Sequence, residues 1–115
     1  MANNNDTSSF RHLCQGLVSR VLKGKGYSSQ TDRQAAFNNA GLAEPLKTLI
    51  DKTANQAYKV SDGDIDAVLQ SGLSEDQIFE LVVCAAVGQS SRQYMNALSA
   101  LDEVAKENKG GGHAS

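Results

Sequence analysis

The chain has 115 residues, a formal net charge of -2 and 21% charged residues of interspersed sign, which leaves no broad cationic field for nucleic acid or anionic lipid. That length fits one domain with a core of its own, and Cys14 and Cys84, the only cysteines, form no CxxC pair that would point to a disulfide framework or a zinc site. The longest apolar run is too short to cross a bilayer and the N-terminus has no apolar signal core, so a cytoplasmic protein without nucleic-acid partner, membrane partner, cofactor or metal is expected.

Residues 1–8 are Asn-rich and polar, and a disordered tail is predicted there. Phe10, Leu13, Cys14, Leu17, Val18, Val21 and Leu22 then recur at the three-and-four spacing of a helix with one apolar stripe. Ser8 or Ser9 is its expected cap, Gly24 its end, and His12, Arg11, Gln15 and Ser19 fall on its solvated face. Lys23, Gly24, Lys25 and Gly26 lack the spacing of a phosphate loop and read as a flexible connection. Ser29 or Thr31 caps a short second helix through Asn38, with Gly41 suited to a left-handed exit. Pro45 after Glu44 opens a third, whose stripe runs through Leu46, Leu49, Ile50, Thr53, Ala54, Ala57 and Tyr58.

Ser61 and Asp64 have the spacing of a capping box before Ile65, Val68 and Leu69, and Gly72 stands where a C-terminal glycine belongs. The acids Asp62, Asp64 and Asp66 do not make a calcium loop, because Ala67 takes the place that requires glycine and Leu73 that of the bidentate glutamate. Ser74 and Gln77 repeat the capping box at the head of GLSEDQIFELVVCAAVG, the segment about which the chain is organised. From Ile78 to Val87 only Glu80 is not apolar, so this fifth helix is predicted to be central and buried on every face. Gly88 offers a break or a close contact, and Ser90 or Ser91 a new cap for a sixth helix carrying Tyr94, Met95, Leu98, Leu101, Val104 and Ala105. The glycine-rich residues 109–115, His113 included, read as a flexible tail. A single all-α domain over 9–108, a bundle of about six helices, is the resulting fold class.

Gly72, Leu73, Ser74, Gln77 and Ile78, followed by Asn96, Ala97, Leu98, Ala100 and Leu101, resemble the C-terminal half of the carboxymuconolactone decarboxylase and alkyl hydroperoxidase D (AhpD) superfamily. Upstream, Ala57 to Asp62 and Asp64 are similar to one branch of it, so the resemblance runs from about Pro45 to Val104. It implies an AhpD-like helical bundle that assembles into trimers, hexamers or other homo-oligomers. Active peroxidase-like members carry a C-x-x-C-x-x-x-H motif shortly before the G-L-S/T start, and the decarboxylases use histidine there. The corresponding stretch here, AYKVSDGD, holds neither Cys nor His, so no catalytic residue is carried over.

Three residues remain as candidates. Cys84 is the one nucleophile of the central helix, although its apolar neighbours would raise its pKa, and a small core side chain is the alternative. Glu80 needs a partner if buried, either Arg92 or a lysine, or else it lines a pocket as an acid or base. Tyr58 is read as a hydrogen-bonded tyrosine at a core edge or as a catalytic one. The first functional expectation is a catalytically degenerate AhpD-like oligomer with a small-molecule pocket at subunit interfaces. A thiol-dependent peroxidase or reductase relying on Cys84, and a helical adaptor for a protein partner, are the alternatives.

Overall fold

The computed structural model describes the backbone of residues 2–110 and the side chains of 11–107. It contains α1 (Ala2–Lys23), α2 (Gln30–Asn38), α3 (Leu46–Asn55), a single 3-10 turn (Ala57–Lys59), α4 (Asp62–Gln70) and α5 (Glu75–Gly110), with no strand among the described residues. The all-helical class is as the periodicity predicts.

Local chemistry explains most of the boundaries. Ser29 accepts from the Asp32 amide to cap α2, which leaves through Asn39 at φ 51°, two residues before the glycine expected to do so. Glu44 accepts from both the amide and the hydroxyl of Thr48 at the start of α3. The Ser61–Asp64 box opens α4 as predicted, and Gly72, at φ 112°, turns the chain beyond it. Ser74 and Gln77 then exchange amide and side-chain hydrogen bonds of 2.9 and 3.1 Å to open α5.

Packing centres on the first half of α5, which touches each of the other four helices. Leu81, Cys84 and Ala85 meet Ala36 of α2 and Ile50 of α3, while Ile78 meets Leu49 and Val68 beside them. Gly88 admits the backbone of α2: a Cβ there would collide with the Phe37 carbonyl, which Arg92 of the next turn caps at 2.6 Å. Close contact, not a break, is thus what this glycine provides. The expected division between a fifth and a sixth helix is absent because α5 continues through Ser90 and Ser91, each amide finding its carbonyl four residues earlier.

Three further expectations are corrected. The polar stretch assigned to a tail, 1–8, continues the backbone of α1 from Ala2, so neither Ser8 nor Ser9 begins that helix; once a helix is nucleated, each further residue adds a hydrogen bond. At the other end α5 takes in Lys109 and Gly110, while 111–115, with His113, lie outside the described residues. And α5 is not buried all round. Phe79 is 71% exposed and Ala86 is exposed, because the short α2, α3 and α4 cover only part of its circumference.

The remainder of α5 runs past this core, with α1 beside it. Val21 lies against Cys84, and earlier residues of α1 follow later residues of α5, so the two helices are antiparallel and form an arm. A helix of 36 residues is about 54 Å long, which accounts for the long axis of the 61 × 30 × 21 Å molecule. The radius of gyration, 18.3 Å, exceeds the roughly 13 Å of a compact domain of this length.

Candidate functional site

Glu80 leaves α5 toward the connection between α1 and α2. Its carboxylate accepts from the amides of Tyr27, at 2.9 Å, and Ser28, at 2.7 Å, while Gln77 one turn earlier donates to the Tyr27 carbonyl. Gly26 makes this approach possible, since a Cβ on it would strike the carboxylate itself. The connection read as flexible is therefore pinned to α5 by three hydrogen bonds at two consecutive residues, Tyr27 and Ser28. The partner expected for Glu80 was Arg92 or a lysine; the structure puts Arg33 of α2 there, with Nε 3.9 Å from Oε1, and turns Arg92 to the Phe37 carbonyl instead.

Arg33 is 5% exposed and also closes the end of α1, donating through Nη1 to the carbonyls of Val21 at 3.2 Å and Gly24 at 2.7 Å. A cation at a helix C-terminus satisfies orphan carbonyls and the negative end of the helix dipole together. Arg33 was not singled out from the sequence, although it precedes Ala36 and Phe37 by three and four residues and so lies on the apolar face of α2. A charged residue in that register was the signal.

Burial by itself would raise the Glu80 pKa. The hydrogen bonds from the Tyr27 and Ser28 amides and the charge of Arg33 outweigh it, and the carboxyl is held below its ordinary value. The buried Ser28 hydroxyl has no well-formed hydrogen bond of its own, yet it lies close enough to favour the charged carboxylate. Cys84, one turn further along α5, has no exposed surface and directs its thiol to the Val21 carbonyl at 3.8 Å. Burial pushes that thiol up, Arg33 draws it back in part, and the Glu80 charge adds to the rise. The group is therefore a protonated thiol beside an ionised, fully engaged carboxylate.

A cavity of about 330 Å³ adjoins this cluster, with Arg20, Lys25, Tyr27, Phe79 and Val83 around it and Arg33, Glu80 and Cys84 in its wall. A larger groove of about 500 Å³ separates α1 from α5 along the arm. Cys14, Val18 and Leu22 line one side, Tyr94, Met95 and Leu98 the other, and Arg11, Lys23 and Asp102 complete it. The arm also leaves Leu13, Leu17, Leu101 and Val104 exposed, positions that the periodicity assigns to a buried stripe. Phe10, at the head of that stripe, has no described side chain.

Tyr58 lies apart from both features. It sits in the 3-10 turn after α3, 82% exposed, with the Lys59 ammonium 6.0 Å from its ring centre, rather than at the core edge expected for it. Asp64 accepts from Lys52 of α3 at 2.9 Å, and this bond, with the Ser61 amide, lowers its pKa. Asp64 of DGDID thus serves both a cap and an ion pair. No cluster of three metal-ligating side chains occurs among the described residues, and no helix among them is long and apolar enough to cross a membrane.

Compared with protein-family models, curated proteins and solved structures, the chain gives no match in any of the three. The resemblance to the AhpD superfamily is therefore one of the residues between Pro45 and Val104 alone.

Proposed function

We propose that this chain is a catalytically degenerate AhpD-like protein whose role is homo-oligomeric assembly in a reducing, cytoplasmic setting. The observation that carries the reading is the arm, in which two long helices line an apolar groove with Cys14, Val18, Leu22, Met95 and Leu98 and leave Leu13, Leu17, Leu101 and Val104 exposed outside it. Apolar stripes at helical spacing without cover within the chain are the usual mark of an interface. The site geometry supports the non-catalytic half of the reading. Thiol chemistry needs a thiolate, and Cys84 is buried with its pKa raised; acid–base chemistry needs a proton to move, and Glu80 is ionised and holds two backbone amides.

Light scattering on the purified protein, together with a peroxide-consumption assay, tests both halves. The expected results are a mass of two or more chains and no turnover beyond that of a Cys84→Ser variant. Peroxide consumption that disappears in Cys84→Ser would replace this reading with the thiol peroxidase, and a monomer at every concentration would remove the assembly role.

A further inference from the structure

We infer that a second copy of this chain occupies the groove between α1 and α5, its arm antiparallel to the first, so that the two arms form a four-helix bundle about a two-fold axis. This rests on the assembly reading and specifies its geometry. The fit is first one of size. An arm about 30 Å long and two helices, about 20 Å, wide presents about 600 Å² per copy, close to the lower limit of a stable interface. It is also one of chemistry, because Cys14, Val18, Leu22, Met95 and Leu98 in the groove, flanked by Leu101, supply the apolar seam of a bundle.

Charge fixes the direction. The far end of the arm carries Asp102, Glu103 and Glu107 against Lys106 and, on α1, Arg11, all exposed, and keeps an acidic excess. The near end of the arm carries Arg20, Lys23 and Lys25, also exposed. A parallel pair would set acidic end on acidic end and basic on basic. An antiparallel pair sets each acidic end on the partner's basic end, which is also the arrangement that a two-fold axis perpendicular to the arms generates. Both ends of the groove then repeat one junction, Lys23 of one copy near Asp102 of the other.

The test is cross-linking with a flexible bismaleimide in a Cys14→Ser, Cys84→Ser background. Lys23→Cys protein is mixed with Asp102→Cys protein and allowed to exchange subunits. The mixed dimer is expected to exceed either self-linked dimer several-fold; self-linking of Lys23→Cys protein as the main product would mean parallel arms and overturn the proposal. Separately, Leu98→Glu and the more exposed Leu101→Glu are expected to give monomers with unchanged helical circular dichroism. An oligomer that persists in both variants would put the interface elsewhere and defeat this geometry while leaving the assembly role standing. A wild-type monomer would defeat both, and would leave the groove to a different occupant.

Discussion

Helix α5 has two halves that meet opposite conditions. In its first half Leu81, Cys84 and Ala85 have no exposed surface, Gly88 accommodates α2, and Glu80 is satisfied by amides from a connection more than fifty residues earlier in the chain. In its second half Leu101 and Val104 are exposed, and a groove lies between it and α1. One continuous helix therefore joins a region that the other helices cover to one left open among the described residues. The buried core is concentrated in the first, and the face proposed for association lies in the second.

The largest effect that sharpens this contrast is a pair of truncations. Leu81→Ala removes a fully buried side chain from the junction of three helices and is expected to cost about 3 kcal/mol, within the usual range for a core leucine. Leu101→Ala removes an exposed one and is expected to change the stability of the dilute protein by no more than about 0.5 kcal/mol. Its effect is expected instead in the concentration dependence of the melting temperature that the proposed association would supply. Urea titrations at two protein concentrations measure both quantities. Equal costs for the two truncations in dilute solution would erase the distinction between the halves.

Glu80 gives a second, smaller effect with a characteristic pH dependence. Its pKa is lower in the folded chain than the ordinary value of about 4.3, so its contribution is fully present above that value and is lost as pH falls through the folded one. Glu80→Gln retains the shape but not the charge, and is expected to cost about 2 kcal/mol near neutrality, typical of hydrogen bonds to a charged group. The gap between variant and wild type should close as pH falls below the ordinary glutamate range and through the lowered folded-state value. Asp64, also lowered, titrates in the same acidic range, so the variant keeps part of the acid sensitivity. A gap that is constant with pH would mean that the carboxylate charge does not hold the connection to α5.

Much of this contrast was legible in the residues. The two capping boxes, at Ser61 and at Ser74, fixed the starts of α4 and α5 because the bonds they make are local. The apolar run around Cys84 marked the central helix because burial is a property of composition as much as of partner. The partner of Glu80 was not legible, since Arg33 is 47 residues away and nothing local distinguishes it from Arg92. Nor was the role of Gly88, whose missing Cβ is filled by a carbonyl from another helix. The exposed face of α5 escaped for a related reason: periodicity tells which residues are apolar, and the short lengths of α2, α3 and α4 determine how many of them one chain can cover. In the candidate site, therefore, the sequence identified Glu80 and Cys84 and left out Arg33, Gly26 and the two amides that decide what they do.

The smallest effect separates the halves by sign rather than by size. Ser74 accepts from the Gln77 amide at the head of α5, and Ser74→Ala is expected to cost about 1 kcal/mol, the usual worth of such a cap. Ser90, which a break at Gly88 would have made a second cap, lies exposed within the continuous helix, where its amide already has a carbonyl four residues before it. There alanine is the better helix former, so Ser90→Ala is expected to stabilise by a few tenths of a kcal/mol. Thermal denaturation of the two variants beside the wild type compares them directly. If Ser90→Ala proved as destabilising as Ser74→Ala, a helix would begin at that residue in solution, α5 would be two helices, and the arm would lose the rigid connection that carries its groove away from the core.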